Sequence, residues 1–148
     1  MHFAFLFNWV GKPWLTQRWS RSIIERYYGT GMANAYLGDE DQGQMSGWLI
    51  MASLGLFQTD GGCSTEPVYE IASPLYEKVV IDLGERFGRG KTFTIEARNA
   101  SRSNKYVQSA LLNGKPLQSF SFPASELLKG GSLVLEMSSE PNYSWGIK

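Results

Sequence analysis

The chain has 148 residues, and its 43% hydrophobic and 19% charged residues are typical of a globular protein and exclude a disordered or collagen-like one. Its 14 basic residues balance its 14 acidic ones with no basic run, which argues against a nucleic-acid partner. The single cysteine excludes an internal disulfide, and no apolar stretch approaches the roughly 20 residues that span a bilayer.

Residues 1–57 have the residue spacing of helices. Pro13 suits the first turn of a helix, large apolar side chains then recur along one broad face, and Gly29 supplies a stop. The apolar start, residues 3–10, lacks the charged flank and the cleavage site of a signal peptide. Because the sequence opens inside an aromatic segment, we interpret the chain as part of a longer polypeptide.

A second helix is predicted after a glycine-punctuated loop. Asp41 followed by Gln44 has the form of an N-cap with its capping-box partner, and an apolar stripe continues beyond them. This pattern predicts that the second helix begins immediately after Asp41.

Residues 66–148 alternate like strands separated by turns. The dipeptide Asn113-Gly114 predicts a tight hairpin, and residues 125–128 suit one helical turn. Because helices precede strands rather than alternating with them, we predict an α+β fold: a helical part over 1–57, then an antiparallel β-rich subdomain over 66–148. The predicted strands cover residues 68–71, 78–83, 92–97, 106–112 and 132–137.

The acidic segment before the second helix is the strongest candidate for chemistry. If Asp39 to Asp41 is extended, the two aspartates face one side while Glu40 points elsewhere, so the pair can polarise one water. The helix N-terminus favours their ionised form, whereas their proximity opposes it. The alternative is that Asp41 is only an N-cap and that Asp39 and Glu40 are solvated loop charges.

The segment 38–48, GDEDQGQMSGW, resembles the signature GN(D/E)DxGQMSAW of glycoside hydrolase family 92. The likeness covers nearly the whole chain. It includes HFAFLFN, GKPWLTQ, LGLF, YEIASPLYEKV and GKTFTIEA, at residues 2–8, 11–17, 54–57, 69–79 and 90–97.

The resemblance implies the C-terminal fragment of an inverting, calcium-dependent exo-α-mannosidase, α-1,2-mannosidase-like, that hydrolyses terminal mannose from glycans. It implies Asp41 as the general base and Asp39 as its partner. The general acid of an inverting enzyme lies roughly 6.5 to 9.5 Å from the base, and we expect it upstream of this chain. The fragment alone is therefore expected to be inactive.

The resemblance also implies substrate contacts from His2, Gln44 and Trp48, although a lone histidine beside aromatic residues is commonly structural. Residues 1–57 would be the last helices of an (α/α)6 barrel. The expected partners are a mannose-containing glycan, the missing N-terminal part, and other copies of the chain through exposed faces. For the parent enzyme the resemblance implies a periplasmic or extracellular location. The competing hypothesis is a non-catalytic module that binds glycan or protein.

Overall fold

The structure of the chain is a computed structural model that describes residues 2–31, 35–36, 38, 40 and 42–147. Within these residues the helices are α1 Phe3–Trp9, α2 Pro13–Tyr27, α3 Gln44–Leu54 and α4 Ala124–Leu128. The strands are β1 Leu56–Phe57, β2 Val68–Ile71, β3 Lys78–Asp82, β4 Thr92–Arg98, β5 Tyr106–Leu112, β6 Lys115–Pro116, β7 Ser121–Pro123 and β8 Gly131–Ser138. The predicted α+β class is confirmed.

The helices pack on one another before the chain enters the sheets. Helix α2 begins at Pro13 and ends just before Gly29, as predicted. Helix α1 lies in the part predicted to be helical, but its bounds were not predicted, because its short apolar sequence has neither caps nor a polar face. A core cluster joins the first three helices, since Phe5 of α1, Ile24 of α2 and Trp48 of α3 are all buried in it.

The strands form two sheets among the described residues, one of five strands in the order β3-β4-β8-β5-β6 and one of three in the order β1-β2-β7. The predicted strands are present, with ends within one residue of those expected. The hairpin is also confirmed, since Leu112 pairs with Lys115 and both Asn113 and Gly114 have positive φ, as a tight hairpin turn requires.

One strand pair corrects the predicted antiparallel subdomain, because β4 and β8 are parallel. The short connection 99–105 reverses the chain, so β4 and β5 run in opposite directions. Strand β8 lies between them and pairs antiparallel with β5. A strand inserted between two oppositely directed strands has to be parallel to one of them, and here that strand is β4.

Buried hydrogen bonds fasten α2 to the β-rich part. The Oε1 atom of Gln17 accepts from the Val107 backbone N–H at 3.0 Å, beside a register shift in β5. The buried Arg21 donates to the carbonyl oxygens of Pro74, at 2.7 Å, and Ser101, at 3.0 Å. Burial lowers the pKa of the Arg21 guanidinium, and the negative charge of Glu25 opposes that shift. The division into parts at residues 57 and 66 stays a prediction.

Candidate functional site

The start of α3 differs from the prediction that placed it immediately after Asp41. The helix begins at Gln44, and its N-cap is Gly43, whose φ of 69° lies in the left-handed region that favours glycine. The carboxylate of Glu40 accepts from the backbone N–H of Met45 at 3.1 Å and of Ser46 at 2.7 Å. Glu40 therefore satisfies two of the N–H groups that a helix start leaves without intrahelical acceptors.

Two tyrosines support the same helix start. The hydroxyl of Tyr28 donates to the Met45 carbonyl at 3.2 Å, and its ring stacks on Trp48 with centroids 5.7 Å apart. Tyr36 lies 2.8 Å from the Ser46 hydroxyl. Burial raises the pKa of Tyr28, and the negative charge of Glu40 raises it further. Tyr28 therefore stays a neutral donor at physiological pH, and the beginning of α3 is held on several sides.

The predicted catalytic pair, Asp39 and Asp41, lies outside the described residues, so their roles stay predictions. Glu40 is bonded to the first turn of α3, and Gln42 and Gly43 lead directly into that helix.

The predicted substrate contacts lie together. His2 at the start of α1 and Gln44 and Trp48 of α3 all line one cavity of about 370 Å³, which we call the α3 cavity. Its other lining residues are Gly47, Met51, Phe57, Gln58, Gly61 and Tyr69. His2 is exposed, and its ring meets that of Phe57 edge to face at 5.5 Å.

Trp48 combines an apolar surface with an unused donor. Its side chain is 2% exposed, and its indole Nε1 has no hydrogen-bond partner among the described residues. A buried donor of this kind is costly unless something accepts from it. Rings and amides together suit a sugar, whose C–H faces pack on rings and whose hydroxyls take hydrogen bonds.

Sequence reasoning did not identify Gln58 and Tyr69 as cavity residues. Gln58 lies in the join between the two halves of the sequence, where no periodicity is present. Tyr69 lies in β2, where the alternation of side chains predicts which face of the strand a residue occupies. It does not predict which other segment packs against that face.

Among the described residues, no group of three or more His, Cys, Asp and Glu side chains is placed to hold a metal ion. The carboxylate of Glu40 is engaged by the backbone of α3. The predicted calcium site remains a prediction, because the two aspartates of the acidic segment are not among the described residues.

A second, almost wholly apolar cavity of about 450 Å³ lies between α1 and α2 and is lined by Phe3, Leu6, Val10, Trp19 and Ile23, among others. Phe3 is 81% exposed and Val10 is 65% exposed, so the predicted exposed apolar helix face is present. Trp19 of α2 is partly exposed at this face. Across the described part of the chain, no helix combines the length and the hydropathy that a membrane crossing requires.

Comparison with known proteins supports the resemblance. The chain matches the model of the glycosyl hydrolase family 92 catalytic domain over residues 1–139. It is 31% identical to a protein of Arthroderma benhamiae described as an uncharacterized secreted glycosidase, a match that covers 97% of this chain and 18% of that protein.

Two solved structures from Bacteroides thetaiotaomicron have the same fold over 99% of this chain. The family GH92 α-mannosidase BT3965, in complex with mannoimidazole, is 31% identical with a TM-score of 0.88, and 18% of its length is covered. The family GH92 inverting mannosidase BT2199 is 35% identical with a TM-score of 0.86, and 19% of its length is covered. The chain thus spans about a fifth of the length of these relatives and belongs to glycosyl hydrolase family 92.

Proposed function

We propose that this chain supplies part of the active site of a longer, inverting exo-α-mannosidase, α-1,2-mannosidase-like, that releases terminal mannose from glycans. Membership of the family supports a glycosidase, and the α-mannosidases of similar structure support mannose as the sugar. The similar protein described as secreted supports an extracellular or periplasmic location for the parent enzyme.

The observation that carries the proposal is the α3 cavity. His2, Gln44 and Trp48 come from two different helices, yet all three line one opening at the start of α3. The acidic segment directly precedes that helix start in the chain. A sugar in this cavity would have rings against its apolar faces and the amides of Gln44 and Gln58 as hydrogen-bond partners for its hydroxyls.

We assign the general base to Asp41 and its supporting carboxylate to Asp39. The main alternative for Asp41 was an N-cap, but the N-cap position falls on Gly43 and Glu40 accepts from two N–H groups of the first turn. With the helix start satisfied in this way, Asp41 is not needed as the N-cap residue. The positive end of the α3 dipole favours an ionised carboxylate nearby, as a general base requires.

The general acid of this mechanism comes from elsewhere in the longer polypeptide. An inverting enzyme places its two carboxyl groups roughly 6.5 to 9.5 Å apart, so that a water fits between the base and the anomeric carbon. Asp39 is only two residues from Asp41 and is too close to serve. The missing N-terminal part would also cover the exposed apolar face of α1 and α2, and without it we expect self-association through that face.

Calcium is part of the proposal. The ion prefers oxygen ligands and would bind and distort the sugar, with ligands shared between the acidic segment and the rest of the enzyme.

The stereochemistry of the product tests the proposal. The full-length parent enzyme is incubated with an α-linked mannoside, and proton NMR follows the first sugar released. We expect β-mannose first and the α-anomer only later by mutarotation, because a water attacks from the face opposite the leaving group. Early α-mannose would contradict inversion. Binding of mannosides without any hydrolysis would instead favour the non-catalytic module.

A further inference from the structure

The buried carboxyl group of Glu70 has no part in the proposed mechanism, yet it accepts hydrogen bonds from two other segments of the chain. Glu70 lies in β2 and is 1% exposed. Its Oε2 accepts from Asn8 Nδ2 at 2.9 Å, while its Oε1 accepts from Trp9 Nε1 at 3.1 Å and from the Thr59 hydroxyl at 2.5 Å. We call these four residues the Glu70 cluster.

Each donor belongs to a segment that also forms a wall of the α3 cavity. Asn8 and Trp9 end helix α1, and His2 lies at the other end of that short helix. Thr59 follows Gln58, which lines the cavity, and precedes Gly61, which also lines it. Tyr69 lines the cavity from the residue before Glu70, and successive side chains of a strand point to opposite faces. The Glu70 carboxyl group thus connects the α1, 58–61 and β2 walls of the cavity, on the face of β2 that points away from the cavity.

The hydrogen bonds of the Glu70 cluster hold the connected segments together. All three donors are neutral, and a buried carboxyl group needs every one of them, because a buried acceptor that loses its donor keeps its desolvation cost. The segments therefore cannot move apart independently without leaving a buried group unpaired. The Oδ1 atom of Asn8 has no partner among the described residues.

We propose that Glu70 is a positioning residue, which fixes the α1 wall and the 58–61 wall of the α3 cavity against β2 and so sets how tightly the cavity holds the sugar. This inference rests on the proposed function, since the sugar is the substrate proposed there. Glu70 does not touch the substrate, so its loss raises KM more than it lowers kcat.

A double-mutant cycle between Asn8 and Glu70 in the full-length parent enzyme tests the inference. Asn8→Asp places a second carboxyl group 2.9 Å from Oε2 in the place of its donor, and we expect KM for an α-mannoside to rise about tenfold. In Glu70→Gln, the amide oxygen still accepts from Trp9 and Thr59. The new amide nitrogen can donate to Asn8 Oδ1 after the Asn8 amide rotates by about 180°. We expect its KM within about threefold of wild type.

The double variant decides the matter. The amide introduced by Glu70→Gln donates to the carboxylate introduced by Asn8→Asp, so KM should return to within about threefold of wild type. A double variant as impaired as Asn8→Asp alone would overturn the inference. The inference would also be overturned if both single variants and the double variant kept the wild-type KM and only their melting temperatures fell. That result would show that the Asn8–Glu70 hydrogen bond contributes to stability alone.

Two milder variants keep the test usable if Asn8→Asp does not fold. Thr59→Val removes one donor to Glu70, whereas Thr59→Ser keeps the hydroxyl, so only the first should raise KM. The exposed Glu66→Gln, on the same segment, is the control and should leave KM unchanged.

Amide hydrogen exchange separates this inference from the proposed function. Residues 58–65 should exchange faster in Asn8→Asp and Thr59→Val, and should be restored in the Asn8→Asp, Glu70→Gln double variant. A wild-type parent without mannosidase activity would defeat the proposed function, yet the exchange pattern would still support or overturn the positioning role of Glu70.

Discussion

Replacing Asp41 with asparagine in the full-length parent enzyme should abolish turnover while leaving the fold almost unchanged. A general base contributes about 10² to 10⁴ in rate, and an amide cannot take a proton from water, so we expect kcat to fall by about 10³. Steady-state kinetics on an α-mannoside and a thermal unfolding curve measure the two effects. If Asp41 only capped a helix, the variant would lose about 1 kcal/mol of stability and keep normal activity.

Two control variants make the Asp41→Asn result specific. Glu40→Gln weakens the group that accepts from the first turn of α3, so it should cost about 1 kcal/mol of stability while retaining most activity. Asp82→Asn alters an exposed carboxyl group that accepts from Gly84 in a turn away from the α3 cavity. It should change neither quantity. A fall in kcat for Asp82→Asn as large as for Asp41→Asn would show a general effect of losing acidic groups.

The purified 148-residue chain alone should release no mannose above the uncatalysed rate. Inversion needs an acid to protonate the leaving oxygen as well as a base to activate water, and we place that acid in the rest of the enzyme. The chain spans 18% and 19% of the two mannosidases of similar structure. A reducing-sugar assay at high protein concentration measures release. Robust mannose release by this chain would show that it contains both carboxyl groups.

Local patterns predicted much of the fold. Pro13 and Gly29 bounded α2, and alternation located the strands because one face of each packs on the core. Asn113-Gly114 predicted the hairpin, since few other dipeptides accept positive φ twice. The parallel pair β4–β8 was missed because it depends on where a strand reached about thirty residues later is inserted, which no local pattern records.

The start of α3 shows where a local rule failed. The capping-box spacing of Asp41 and Gln44 is a three-residue pattern, but Gly43 breaks the helical backbone and Glu40 accepts from the first turn. The group that accepts from the first turn is thus Glu40, the residue immediately before Asp41, whose side chain is longer. Propensity alone does not distinguish the two.

The candidate site was only partly predictable. His2, Gln44 and Trp48 were identified through the resemblance to a family, and the structure brings them to one cavity. Glu70 was missed, because its donors Asn8 and Trp9 lie 62 and 61 residues away and the sequence gives no sign of that contact. Buried polar clusters built from distant segments become visible only in three dimensions.

The central claim is that the α3 cavity holds the sugar while Asp41 activates the water that attacks it. A crystal structure of the parent enzyme with mannoimidazole tests this claim most directly. We expect the inhibitor ring to lie against Trp48 and Gln44, with one water between the Asp41 carboxylate and the carbon equivalent to the anomeric centre. An inhibitor bound elsewhere, with Asp39 and Asp41 facing solvent away from it, would contradict the claim.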